Sequence, residues 1–486
     1  MSTAMDAVLA RDSLAVLPEG TSDGEVPTPA QVHFPASHRK AMDPNVMLVT
    51  GMRGAGKTFW WAALQNDAVR RLIQMPLTGQ GFLTPPSKVA TGFGIRPEPD
   101  RYPDKDVLKA LLSQGRDPRT IWRSVLAWQT APKDHPLRSE GTWPARIGYV
   151  EGNSESIARL FLDVDAKCGQ AGEFLIVLFD ALDRCSDDWR DMYRLIRGLM
   201  QLAVDMRSYR WLRLKIFLRT DQADEDRIAD FPDASKVLSS SVELRWPGRE
   251  LYGLLWHCLI NGPAGDRFRD FLAQERLPAA EIAGQSLYHV PRTLISDDDA
   301  QRRKFHVITG PWMGQNAKRG FPYTWIPNHL GDTRGQVSPR SFLVALREAA
   351  LDTAERHPEH ERALHFESIK RGVQKASRIR VAEIREDYPW MHRALGPLAG
   401  MTVPCRFEEI VERWAQERSL ERLIEGAEQD EIKLPPRHVD HGVTGIRQDL
   451  ESLGVFQRLY DGRVNIPDVF RVGYGLGRKG GVKPVQ

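Results

Sequence analysis

The chain has 486 residues, 41% hydrophobic and 27% charged, which suggests a globular protein of about three domains. Its longest apolar run, FLIVLF at 174–179, is far short of the ~20 residues of a membrane span, so no membrane partner is expected. A net charge of +3 excludes nucleic-acid binding by the whole surface in favour of a local patch, and four scattered cysteines (Cys168, Cys185, Cys258, Cys405) fit a reducing, cytoplasmic setting.

Residues 1–44 mix Ser, Thr, Pro, Gly and acids without sustained periodicity and read as a disordered arm. No basic segment followed by an apolar one opens the chain, so no secretory leader is expected. VMLVT (46–50) is a buried strand ending at glycines, and FWWAALQNDAVRRLI (59–73) is a helix. From 77 to about 143 the chain is rich in Pro, Gly and Trp, as an insertion would be, with short helices at KDVLKALLSQ and TIWRSVLAWQ. RIGYVEG reads as a strand, and SESIARLFLDVDAKC as a helix capped by Ser154. FLIVLFD (174–180) is an apolar strand ending in an acid, DMYRLIRGLMQLAVDM a helix, and LRLKIFLRTD (212–221) and SVELRW (241–246) further strands. Strands alternating with helices predict a parallel α/β sheet, here over residues 45–260.

Beyond about 249 strand signals nearly vanish. ELYGLLWHCLI and VSPRSFLVALREAALDTAERH are helical, so 261–400 reads as a helical lid and connector, with 311–327 an ordered loop packed on it. In 401–486 the order is helix, helix, helix, strand, Asp461-Gly462 turn, strand, as in a winged helix.

GMRGAGKT (51–58) fits the pattern G-x-x-x-x-G-K-[ST] between a strand and a helix. Gly51, Gly54 and Gly56 allow backbone N–H groups to turn toward phosphates, helped by the positive end of the following helix. Lys57 reaches the β/γ-phosphates of ATP and Thr58 ligates Mg²⁺. Asp180, at the C-terminal end of its strand, is the expected second holder of Mg²⁺. Ala181 follows it, where many such ATPases carry a Glu that polarises the attacking water. Asp183 either takes over that role or is an acid at a helix start. Arg219 ends the next strand, either as a γ-phosphate contact or as a surface arginine. Ser338-Pro339 opens a helix, and Arg340 in its first turn suits both a lid arginine and a solvated helix start.

GMRGAGKT, LIVLFDALDR, FLRTD and VSPRSF together resemble the loops of AAA+-related ATPases of the STAND and KAP type, over roughly residues 45–350. The resemblance implies an α/β fold: a parallel-sheet P-loop NTPase core of ASCE type with a helical lid, followed here by the winged-helix domain. It implies Asp180 as metal ligand, Arg219 as sensor and Arg340 as lid sensor. It further implies an ATP-binding and ATP-hydrolysing switch that orders a homo-oligomer or a protein partner. The implied setting is a bacterial DNA-maintenance, mobile-element or anti-phage system. The alternative is a nucleotide-gated DNA-binding regulator without significant turnover.

A basic, glycine-rich tail beside the winged helix, with Arg447, Arg458, Arg471, Arg478, Lys479 and Lys483, suits DNA phosphates; the same domain also suits protein docking. His438 and His441 lack further ligands, so no zinc is expected there. Trp60, Trp61, Trp122, Trp128 and Trp143 are expected in core or interface rather than stacked on bases. No NKxD run is present, which favours ATP over GTP.

Overall fold

The computed structural model describes residues 5–19, 24–74, 86–223, 228–272, 277–282, 284–428, 433–479 and 482–484. It divides into two compact units, residues 21–245 and residues 1–20 with 246–486. The break therefore falls at 245/246, and the expected boundaries at 260 and 400 both lie inside the second unit.

Residues 21–245 carry five strands: β1 (Leu48–Gly51), β2 (Ser87–Phe93), β3 (Phe174–Phe179), β4 (Leu212–Arg219) and β5 (Val242–Glu243). They form one sheet in the order β2-β3-β4-β1-β5, and every pair is parallel. Consecutive residues of β3 and β4 are buried, which requires cover on both faces and explains their unbroken apolar sequence. Helix Ser154–Ala171 packs on β3 and β4, Trp189–Met206 on β4, and Pro118–Thr130 on β2. At Gly92 a Cβ would lie 2.4 Å from Phe179 Cζ, so only glycine lets that ring seat against β2. Lys215, buried on β4, donates to the carbonyls of Ala41, Asp43 and Val46 at 2.7, 2.9 and 2.7 Å and so ties the approach to β1 into the sheet.

Four sequence expectations need correction in this unit. The insertion expected over 77–143 contains β2, an edge strand of the main sheet; its first residues, 77–85, lie outside the described part. RIGYVEG is helical, within Trp143–Gly152, because Thr142 accepts from Ala145 N and Pro144 stands in the first turn. The helix expected over 59–73 is two, Lys57–Ala63 and Asp67–Gln74, with Asn66 accepting from Ala68 N at 2.9 Å between them. Residues 24–44 are not a disordered arm: Val32 and Ala41 are buried, and His38 Nδ1 accepts from Trp60 Nε1 at 3.0 Å.

In the other unit the arm reading fails again. Asp6 caps a helix Ala7–Ala15 whose Ala10 and Leu14 join the apolar core with Tyr252, Trp256, Phe305 and Phe342. A hairpin of β6 (Ala279–Ile282) and β7 (Gln285–Tyr288) stands where no strand was expected, and 311–327 runs into the helix Pro322–Leu330. The long helices Pro339–Arg356 and Phe366–Asp387 pack against each other. The C-terminal segment has helices Phe407–Gln416, Ser419–Glu428 and Gly442–Ser452, then antiparallel β8 (Gln457–Arg458) and β9 (Val464–Asn465) around Asp461-Gly462. It is docked on Phe366–Asp387, where Ser377 Oγ donates to Val469 O at 2.7 Å. Among the described residues no helix is long and apolar enough to cross a membrane.

Candidate functional site

In a parallel sheet all C-terminal strand ends share one edge, and the register fixes what meets there. Gly51 at the end of β1 pairs with Arg219 at the end of β4, and β3, ending one residue before Asp180, lies on the far side of β4. Residues 51–58 therefore turn over an edge that also presents Asp180, Asp183 and Arg219. The loop itself needs its glycines, because Gly54 and Gly56 have φ of 80° and 98°.

Lys57 is buried, and its Nζ donates to Gly51 O at 2.9 Å and Met52 O at 2.8 Å. Burial pushes its ammonium down to about 8, helped by the charge of Arg219 and opposed by Asp180, Asp221 and Asp183. Asp180 is 2% exposed, and burial pushes its carboxyl up to about 6. A hydrogen bond from the Thr58 hydroxyl, the Lys57 charge and the Ala181 N–H oppose that rise. Among the described residues its Oδ2 is buried without a hydrogen-bond partner, and so is Thr220 Oγ1. An unmet carboxylate oxygen beside a threonine hydroxyl is an all-oxygen donor set that fits a hard cation such as Mg²⁺.

Ala181 has φ 56°, an uncommon conformation for a residue with a Cβ. It starts a short turn, Leu182–Arg184, that carries Asp183 back toward Arg219, with Nη1 to Asp183 Oδ2 at 3.8 Å. Arg219 also makes a forked pair with Asp221, Nε–Oδ1 at 3.1 Å and Nη2–Oδ2 at 3.3 Å. Asp221 was missed as a site residue; FLRTD shows it two positions after the arginine, but not that the chain turns it back.

Of the sequence-derived site residues, the structure thus brings Gly51, Gly54, Gly56, Lys57, Thr58, Asp180, Asp183 and Arg219 into one unit. Arg340 belongs to the other, where it pairs with Glu383 at 2.8 Å and donates to Glu19 O at 2.9 Å. Trp60, Trp61, Trp122 and Trp143 are buried, with Trp122 Nε1 donating to Leu195 O, so they are core residues. Trp128 lies between Arg138 and Arg146.

No protein-family model matches the chain. Over 104 residues it is 31% identical to Peptidase 1 of Psoroptes ovis, a match covering 20% of this chain and 31% of that protein. The chain thus spans about a third of that relative's length. Among solved structures, the ORC2 protein of Aeropyrum pernix in its ADPNP–ADP complexes aligns at a TM-score of 0.35 and 14% identity, over 87% of this chain and 84% of that one. Its ADP form gives 0.30 and 14%, over 88% and 84%. Cdc6p of Pyrobaculum aerophilum gives 0.30 and 11%, over 94% of each. At these scores the fold assignment stands on the chain's own sheet order and loop geometry. They are those of an α/β P-loop nucleoside-triphosphatase fold with additional helical regions.

Proposed function

We propose that the chain is an AAA+-related ATPase that works as a switch, binding ATP at residues 51–58 and hydrolysing it slowly. The observation that carries this reading is the convergence of Lys57, Thr58, Asp180 and Arg219 on one sheet edge, with Asp180 Oδ2 left unmet. Mg²⁺ held by Thr58 and Asp180 would offset phosphate charge. Lys57 exchanges its two loop carbonyls for phosphate oxygens, which are better acceptors for a cation. Arg219 leaves Asp221 for the γ-phosphate, so it senses what ADP lacks. Asp183, held near Arg219, is the group we assign to polarising the attacking water.

The resemblance of the four loops to STAND and KAP ATPases supports a role in a bacterial DNA-maintenance, mobile-element or defence system, with Arg340 as the lid arginine and a homo-oligomer or protein partner as the output. The helix order and hairpin of 401–479 support a winged helix, with DNA as its candidate ligand. One observation favours a second reading: Ala181 stands where a polarising Glu is common, which suits a nucleotide-gated DNA-binding regulator without turnover.

Arg219→Ala is expected to lower ATP affinity about tenfold and leave ADP affinity within about twofold, since one charge-assisted hydrogen bond to the γ-phosphate is lost. Calorimetric titration with both nucleotides checks it; parallel losses would make Arg219 a structural residue. Release of Arg219 from its partner gives the opposite sign. Asp221→Asn is expected to raise ATP affinity about threefold without changing ADP affinity, the size of a modest ion pair. ATP turnover by the full chain, with and without DNA, tests the proposal as a whole. Steady hydrolysis that Asp180→Asn removes supports the ATPase; tight ATP binding with no hydrolysis in either condition selects the regulator.

A further inference from the structure

The connection between helices Pro339–Arg356 and Phe366–Asp387 carries three histidines, His357, His360 and His365, and Glu367 stands in the first turn of the second helix. One ligand atom from each of His357, His365 and Glu367 lies within 4.8 Å of the other two. We propose that these three side chains form a binding site for a divalent transition cation of the zinc class. The P-loop reading has no part in this site, which uses different residues.

The three imidazole rings of this connection are packed against one another. The His357 and His365 centroids are 3.8 Å apart at 32°, and His360 stands 4.9 Å from His365 at 88°. His365 Nδ1 accepts from Glu367 N at 3.3 Å, so the neutral ring carries its proton on Nε2 and offers the Nδ1 lone pair, for which a cation competes with that long bond. Two imidazoles and a carboxylate are borderline N/O donors that suit Zn²⁺, with a fourth position left to water. Zinc–nitrogen bonds of about 2.0–2.1 Å place tetrahedral ligand atoms roughly 3.3 Å apart. The three atoms therefore need to close by up to about 1.5 Å, within reach of side-chain rotations.

The neighbouring charges are arranged to permit this. Arg371 is a cation in contact with these ligands, and its Nε donates to both oxygens of Asp352 at 2.7 and 2.8 Å. Its contacts with Glu367 at 4.0 Å and with His357 Nε2 at 3.4 Å are long and easily given up. The loop is also held in place beforehand. Buried Arg11, from the helix Ala7–Ala15, donates to the carbonyls of Pro358, His360, Arg362 and Ala363 at 2.9–3.2 Å. A metal there would staple the helix pair and fix the loop on which the N-terminal helix rests.

The test is a Zn²⁺ titration of the chelator-treated full chain by calorimetry, with Mg²⁺ in excess, and Co²⁺ absorption as a second probe. The wild type should take up one equivalent with micromolar or better affinity. His365→Asn keeps a side chain able to cap the helix, so it separates metal loss from misfolding; it should lose the site, as should His357→Ala. Glu367→Gln should weaken it about tenfold or more. His438→Ala should leave it intact. No stoichiometric uptake by the wild type, or uptake unchanged in a His357→Ala, His365→Asn double variant of native circular dichroism, would overturn the proposal.

Discussion

Lys57→Ala is expected to weaken ATP binding by about 100-fold or more without destabilising the chain. The affinity loss follows from hydrogen bonds to phosphate oxygens, each worth about 1.5–3 kcal/mol when a charged group takes part. Two of them correspond to roughly a 100-fold to 10,000-fold change. The stability claim comes from the site without nucleotide. There the ammonium is buried, its pKa held down to about 8 chiefly by that burial, and among the described residues its donors go to Gly51 O and Met52 O. Gly51 O keeps a second donor in Thr220 N at 3.1 Å, so removal of the lysine leaves little unmet. A buried cation that costs folding free energy and returns it on ligand binding is what a functional lysine looks like. Calorimetric ATP titration and thermal unfolding of the same samples check both halves. Equal affinity in variant and wild type would reject the phosphate site; a large fall in unfolding temperature would make Lys57 a structural residue.

The phosphate loop was legible because its chemistry fixes residue types at fixed spacing, and because VMLVT and FLIVLFD are apolar enough to be buried strands in any context. β2 was hidden for the opposite reason. SKVATGF is an edge strand with an exposed Lys88 and a glycine required by Phe179, so it shows neither alternation nor a continuous apolar run. RIGYVEG has strand-like residues, yet Thr142 and Pro144 just upstream start a helix through it. Local cap chemistry won over the composition of the window. The arm was misread because AVLARDSLA buries only one narrow face, and its anchor, Arg11, bonds to carbonyls nearly 350 residues away. The Arg219–Asp221 pair lies two residues apart in sequence and still depended on the turn after β4. Spacing alone cannot say whether an arginine beside a phosphate site is already engaged.

Arg471→Leu is expected to destabilise the unit of residues 1–20 and 246–486 by about 3–5 kcal/mol, the cost of breaking a buried ion pair from one side. In the sequence Arg471 looks like part of a basic tail suited to DNA phosphates. In the structure it is 0% exposed, with Nε on Asp468 Oδ1 at 2.8 Å, Nη1 on Leu476 O at 2.7 Å and Nη2 on Val482 O at 2.5 Å. Its loss leaves the Asp468 carboxylate, itself buried, to Arg478 at 3.3 Å and His329 at 3.5 Å, and leaves two carbonyls without their donor. Arg478 answers to the same acid, and Arg447 pairs with Glu451 at 2.8 Å. Of the six basic groups that the sequence offers to a polyanion, Arg458, Lys479 and Lys483 are exposed and carry no ion pair among the described residues. The two roles therefore separate in one pair of experiments. Urea unfolding of Arg471→Leu should show the full stability loss. A salt titration of DNA binding should keep its wild-type slope in Arg471→Leu at a temperature where it is folded. In a variant with Arg458, Lys479 and Lys483 all changed to Ala, the slope should fall by up to about 0.9 for each contact removed. An Arg471→Leu protein as stable as wild type but with a flatter salt slope would return that arginine to the proposed DNA surface.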